Sequence, residues 1–386
     1  AYQWASNEVA VCTETGDQGS QQIISDGSGG AIIVWYDYRS STNYDIYVQK
    51  VNSDGVPQWA SNGVAICTET DYQGTPQIIG DGSGGAIITW YDYRNSNGDI
   101  YAQKVNSNGV PQWTPNGVAI CTATDYQGSQ HMIGDGSGGA IITWDDCRGV
   151  NNDIYAQRVN SNGVPQWASN GVAICTETGN QGSQQITSDG SGGAIIVWED
   201  YRSGTNYDVY AQRVNSNGVP QWASNGVAIC TATNNQRFSQ IIGDGSGGAI
   251  IVWEDYRSGT NYDIYVQKVN SNGEVQLASN GVAICTDAGY QHSPRIISDG
   301  LGGAIITWAD YRSGTNYDVY ANRVAVSAYK TKVGNAGCWR WGYASYPSAD
   351  AVLSGSATYW QWLPWVPGSG RKVPQGGAGG WGWGNE

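Results

Sequence analysis

The chain has 386 residues, 40% of them hydrophobic and only 13% charged, with a net charge of −14, 55 glycines, 25 tyrosines and 18 tryptophans. That charge argues against a nucleic-acid partner, because neutralising phosphates needs a basic face, and no apolar run approaches the roughly 20 residues of a membrane-crossing helix. Strong helix formers are scarce, and solubility rests on Asn, Ser, Thr and Gln, a habit of extracellular β proteins.

The chain opens on YQWASNEVAVCT (2–13), a segment that returns five more times in closely related form. Its cysteine recurs as Cys12, Cys67, Cys121, Cys175, Cys230 and Cys285, and GGAII(V/T)W recurs with Trp35, Trp90, Trp144, Trp198, Trp253 and Trp308. Units of 54 to 55 residues therefore fill positions 3 to 324, a period that signals stacked supersecondary units. Each unit predicts four strands. In the fourth unit these are Gln184 to Thr187, Ala194 to Trp198, Asp208 to Val214, and a last strand running from VPQW through a bulge into VAICT. Glycine-rich SDGSGG and the pair Asn217-Gly218 supply the turns between them.

AIIVW is apolar at every position, the pattern of a strand covered on both faces. A four-stranded sheet has no core of its own, whereas six such sheets packed face to face around an axis cover one another. The expected fold is all-β, a six-bladed β-propeller of four-stranded blades over residues 1–325, followed by a Trp/Gly-rich extension over 326–386. The first segment copies a fourth strand and the sixth unit lacks one after Val324, so the amino terminus is expected to close the ring; the same arithmetic permits donation to a neighbouring molecule.

The run DGSGGAIIVWEDYRSGTNYDIYVQKVNSNG resembles the blade repeat of secreted bacterial β-propeller proteins. The resemblance implies the fold and an extracellular or cell-surface setting; it implies little about activity, because propellers host lectins, hydrolases and scaffolds alike. No basic, apolar signal segment precedes Ala1, so the chain is read as a mature secreted form.

Each unit carries Trp-x-Asp-x-Arg followed by a second Asp: Asp37, Arg39 and Asp45; Asp92, Arg94 and Asp99; Asp146, Arg148 and Asp153; Asp200, Arg202 and Asp208; Asp255, Arg257 and Asp263; Asp310, Arg312 and Asp318. A guanidinium fork suits the bridging of two carboxylates across a hairpin, so the set reads as a structural clasp. The alternative is six equivalent sugar sites, with Tyr38 or Tyr201 as platform. The DGSGG loops at Asp26, Asp81, Asp135, Asp189 and Asp244, with DGLGG at Asp299, read as turns, since one carboxylate falls short of calcium's six to eight oxygens.

The six repeated cysteines are expected to be too far apart to pair and to serve as small buried residues. Cys147 and Cys338, outside the pattern, are each other's candidate disulfide partners. His131 and His292 read as ordinary substitutions, and the chain lacks a nucleophile elbow, a phosphate loop and a histidine pair for a metal. Near-interchangeable blades offer no asymmetric site, so no enzyme activity and no cofactor are expected.

Beyond Val326 the repeat stops, five basic residues face two acidic ones, and Trp339, Trp341, Trp360, Trp362, Trp365, Trp381 and Trp383 appear. Tryptophan in this quantity marks an interface: the tail folds back over its own propeller, inserts into a neighbouring subunit, or offers tryptophan platforms to carbohydrate, and self-association through it is the expected partner interaction. The leading expectation is a non-catalytic structural or adhesive building block, with head-to-tail filaments as one form of assembly. The alternatives are a multivalent carbohydrate-binding lectin and a glycan-acting hydrolase.

Overall fold

The computed structural model describes residues 8–325, together with the backbone of 327–333 and 338–344. Among these, all regular structure is β-strand, and no helix long and apolar enough to cross a membrane is present. The repeats form six antiparallel sheets in chain order, the first five four-stranded and the sixth three-stranded.

The fourth sheet shows how the repeat folds. Its inner strand Gln181–Ser188 pairs with Ala194–Asp200, which pairs with Asp208–Val214, which pairs with the short Val227–Cys230. All seven residues of Ala194–Asp200 are buried, as a strand covered on both faces requires. The last strand is not continuous. Pro220 makes a single bridge to Val214, the chain then turns, and pairing resumes only at Val227.

A buried glutamine spans that break. Gln212 Nε2 donates to the Ala223 carbonyl (2.8 Å), and its Oε1 accepts from the Trp222 backbone N–H (2.9 Å). The interruption frees Trp222 to reach the fifth sheet, where its Nε1 donates to the Ser271 carbonyl (3.0 Å). The equivalent Trp59 lies on Gly109 of the second sheet (φ +80°), where an added Cβ would stand 2.5 Å from its ring. The glycine is therefore required twice, by conformation and by space.

Neighbouring sheets pack face to face. Ile24, Ile32, Val34, Ile46 and Val48 of the first meet Ile78, Ala86, Ile88 and Trp90 of the second, and the same contact recurs down the series. The six inner strands, Gln18–Ser25, Gln73–Gly80, Gln127–Gly134, Gln181–Ser188, Gln236–Gly243 and Gln291–Ser298, lie side by side in that order.

The series has two uncovered ends. No comparable packing joins Gln18–Ser25 to Gln291–Ser298. Ile23 on the first sheet is 66% exposed, and Ile297 and Val319 on the sixth are 62% and 83% exposed, although the residues corresponding to Val319 in the other five sheets are fully buried. Closure by the amino-terminal segment is not part of the described structure. Glu8–Thr13 forms no strand, Asp318–Val324 pairs on one edge only, and 1–7 lie outside the described residues.

Ser327–Val333 and Cys338–Ala344 make a separate two-stranded sheet. The expected interface tryptophans Trp339, Trp341, Trp360, Trp362, Trp365, Trp381 and Trp383 lie outside the residues whose side chains are described, as does Cys338. Cys147 has a free thiol that donates to Asn152 Oδ1 (2.9 Å).

Candidate functional site

The six Asp-Arg sets hold sheets together. In the fourth sheet, Arg202 grips Asp200 through Nε (2.8 Å) and Nη2 (2.6 Å), and Trp198 Nε1 donates to the same carboxylate (2.7 Å). Arg202 Nη2 also reaches the Asn225 carbonyl (2.8 Å) and Cys175 Sγ of the third sheet (3.3 Å), while its plane covers the Tyr210 ring at 3.8 Å. One guanidinium thus ties a hairpin, an outer loop and the preceding sheet. Arg39, Arg94, Arg148 and Arg257 repeat these contacts with Asp37, Asp92, Asp146 and Asp255; Arg312 holds Asp310 and Cys285 through Nη2, without the loop carbonyl and without a partner for its Nε.

Two sequence expectations change here. The arginine does not bridge the two carboxylates of its set: Asp45, Asp99, Asp208, Asp263 and Asp318 instead accept from asparagine side chains, and where a clasp arginine does take a second carboxylate, Arg312, it is Asp287 (2.6 Å). Burial, with the neighbouring Asp charge adding to it, pushes Asp45, Asp153, Asp208 and Asp263 up to about 6. Nor are these sets six open sugar sites. The first carboxylate of each is fully buried and its acceptor capacity is spent inside the protein.

The other repeated polar groups are also committed. Asp135 Oδ1 accepts from the Ser137 and Gly139 N–H groups (both 2.8 Å), and Arg158 pairs with its Oδ2 at 2.9 Å, which closes the glycine-rich turn. The cysteines of the second to fifth clasps sit against the Asp-Arg pairs, and burial pushes Cys67, Cys121, Cys175 and Cys230 up to about 12, so they are inert thiols. Among the described residues no group of three or more His, Cys, Asp or Glu could hold a metal ion.

The repeat breaks at the inner strands. Each bulges at a residue with positive φ: Ser20, Thr75, Ser129, Ser183, Phe238 and Ser293. In the third and fourth sheets a glutamine next to the bulge crosses to the preceding inner strand, Gln130 Nε2 to the Thr75 carbonyl (2.7 Å) and Gln184 Nε2 to the Ser129 carbonyl (2.6 Å). Ser239 and Pro294 stand at the corresponding places in the fifth and sixth sheets and are too short to cross. The space so vacated is a cavity of about 470 Å³, open to solvent, whose lining includes Ser183, Phe238, Ser239, Glu254, His292 and Arg295.

The cavity and the residues around it are chemically unlike the rest of the inner surface. Arg237 and His292 replace glycines that stand at this position in the first four sheets, and Phe238, half exposed, replaces a Ser or Thr. Acidic residues occupy the position between Trp and Asp in three successive sheets, as Asp145, Glu199 and Glu254, where the first two sheets have Tyr36 and Tyr91. Glu199 accepts from Arg237 Nε (2.9 Å) and the Phe238 N–H (2.8 Å), and Glu254 accepts from the Ser293 N–H (2.7 Å).

Burial, reinforced by the Glu199 charge, pushes Asp145 and Glu254 up to about 7. Ser239 Oγ is buried in the cavity wall without a partner. His292 Nδ1 lies 2.9 Å from Ser293 Oγ, whereas His131, in the third sheet, lies outside the lining and is held below its ordinary value by burial alone. The signal for this site is present in the six inner-strand segments, QGSQQIIS, QGTPQIIG, QGSQHMIG, QGSQQITS, QRFSQIIG and QHSPRIIS, whose last two members differ most.

No protein-family model matches the chain, and no curated protein sequence does. Among solved structures it is similar to a protein of unknown function from Dyadobacter fermentans, at 8% identity over 81% of this chain and 95% of that one, with a TM-score of 0.43. An α-L-arabinanase from Penicillium chrysogenum, complexed with arabinobiose, matches at 13% identity over 79% and 92% (TM-score 0.40). An ulvan lyase of a new polysaccharide lyase family matches at 13% identity over 78% and 77% (TM-score 0.45).

The expectation that the chain is no enzyme is withdrawn. Glycan-cleaving enzymes stand among the structures it is similar to, and the premise of interchangeable sheets fails at the inner strands of the fifth and sixth.

Proposed function

We propose that this protein binds carbohydrate in the cavity between the inner strands of its fourth, fifth and sixth sheets. The observation that carries the reading is that the cavity lies where the repeat is broken, with the Phe238 ring set among hydrogen-bonding side chains. A sugar ring presents C–H faces to an aromatic surface and hydroxyls to carboxylate, amide and hydroxyl groups. Phe238 supplies the first, and Glu254, Gln185, Gln240 and Ser239 supply the second. The resemblance of the repeat to secreted propeller proteins supports a setting outside the cell, where thiols buried as deeply as Cys67 resist exchange.

Ser239→Gln tests the site, because it restores the residue of the third and fourth sheets and directs an amide toward the Ser183 carbonyl. Wild-type protein is expected to bind oligosaccharides in glycan-array and calorimetric measurements. The variant should lose at least tenfold in affinity with an unchanged melting temperature. Unaltered binding by Ser239→Gln, or no glycan bound by the wild type, refutes the proposal. Product assays on the bound glycans read whether binding leads to cleavage.

A second observation favours ring closure within one chain. Cys67, Cys121, Cys175 and Cys230 each end the outer strand of one sheet and contact the Asp-Arg pair of the next. Cys12 makes the same contact with Arg39 (3.3 Å), so by the same rule its segment is the outer strand of a sheet preceding the first. The sixth sheet is the one that lacks such a strand, and its bare face corresponds to the buried faces of the other five. Val319→Asp should then destabilise a monomer by about 3 kcal/mol or more, the cost of a charge in an apolar interface. A neutral effect, or a dimer in sedimentation, overturns closure within the chain.

A further inference from the structure

Ten of the eleven arginines among the described residues are committed to a carboxylate: Arg39, Arg94, Arg148, Arg202, Arg257 and Arg312 in the clasps, Arg158, Arg213 and Arg323 at the glycine-rich turns, and Arg237 to Glu199. Arg295 is the exception. It is exposed, it lines the cavity, and its one hydrogen bond goes to the carbonyl of its own neighbour Pro294 at 3.4 Å. In a chain of net charge −14, where carboxylates outnumber cations, an arginine without a counter-ion at a cavity wall is conspicuous.

Its position makes it specific to this site. Arg295 pairs with Thr307 in the register in which Gln22, Gln77, Gln185 and Gln240 pair with their own second strands and His131 does in the third sheet. The cation is therefore confined to the last sheet, in a cavity also lined by Glu254, Phe238 and Ser239, whose buried hydroxyl has no partner. Glu199 already neutralises Arg237, which leaves Arg295 as the charge on offer to a ligand.

We infer that the carbohydrate taken by this cavity is an acidic one, a saccharide bearing a carboxylate or sulfate group, and that Arg295 binds its oxyanion. The inference rests on the carbohydrate site proposed above and assigns its ligand class. A guanidinium presents a planar fork that matches two oxyanion oxygens, a geometry that glutamine at the same place does not offer.

The test compares matched oligosaccharides, namely neutral arabinan and cellulose fragments, galacturonate and glucuronate oligomers, and sulfated galactan fragments, on wild type, Arg295→Gln and Arg295→Lys by calorimetry at two salt concentrations. The wild type is expected to prefer an acidic member by about 10- to 100-fold, the worth of a charge-assisted hydrogen-bonded pair. Arg295→Gln should erase that preference, and Arg295→Lys should retain part of it with a steeper salt dependence. The uronate and sulfate arms identify which oxyanion is read. Equal binding of neutral and acidic glycans by the wild type, or a preference that survives in Arg295→Gln, overturns the inference. In either case loss of binding in Ser239→Gln leaves the carbohydrate site standing, whereas absence of any glycan binding removes both.

Discussion

The two carboxylates of a clasp should respond to the same substitution with opposite signs. Asp200 and Asp208 are directly opposite on adjacent strands, yet Asp200 accepts from Arg202 and Trp198 whereas Asp208 accepts only from Asn206 (2.7 Å). Asp200→Asn removes the negative partner of a half-buried guanidinium and should destabilise by about 3–5 kcal/mol, as the breaking of buried ion pairs does. Asp208 is pushed from 3.8 to about 6, chiefly by burial, a displacement worth at most about 3 kcal/mol. Discounting for the solvent that reaches the hairpin leaves about 1–2 kcal/mol. The folded carboxyl keeps a proton that the unfolded one releases between about pH 4 and 6. Stability therefore falls as pH rises through that window, and the full cost is present above about pH 7. Asp208→Asn should stabilise the protein by that amount at pH 8, have little effect at pH 4.5, and flatten the dependence between them. Urea unfolding followed by tryptophan fluorescence at both pH values measures it. A less stable Asp208→Asn protein at pH 8, or an unchanged pH dependence, would refute the assignment of Asp208 as a carboxylate ionised at a cost.

Further outcomes follow from the same contacts. Gly109→Ala should cost about 2–4 kcal/mol, because an unfavourable φ adds to overpacking against Trp59; Gly82→Ala, also at positive φ but with nothing within 4 Å of the new methyl, should cost only about 1 kcal/mol. Paired melts of the two variants give the difference. Iodoacetamide at pH 7.5 should label Cys147, partly exposed, well before Cys67, Cys121, Cys175 and Cys230, and peptide mapping over time reads the order. Phe238→Ala should weaken glycan binding about tenfold with no loss of stability, since a half-exposed ring contributes little to the core.

The repeat makes the sheets legible in the amino-acid order itself. All-apolar AIIVW has to be covered on both faces, and Asp-Gly and Asn-Gly pairs fix the hairpins. The inner strand expected over Gln184 to Thr187 is longer in the fold, Gln181–Ser188, and the expected last strand is broken. The break is hidden because it depends on Gln212, a polar residue in an alternating strand, reaching eleven residues along the chain to Ala223. The arginine partners are misassigned for a related reason. Sequence proximity puts both Asp200 and Asp208 near Arg202, but the guanidinium turns toward Asn225 and Cys175, whose nearness only sheet packing creates.

Periodicity and local turn chemistry are properties of a segment, so the amino-acid order alone determined the all-β class, the six sheets and most strand positions. A site is a property of segments brought together. Glu199 meets Phe238, and Glu254 meets Ser293, across 39 residues of chain, and Ser239 opens a cavity only because Ser183, one sheet earlier, lies beside it. Each of those substitutions looks like drift within a single copy of the repeat. Side-by-side packing of the fourth, fifth and sixth inner strands is what gathers them into one place and leaves Arg295 facing it without a counter-ion.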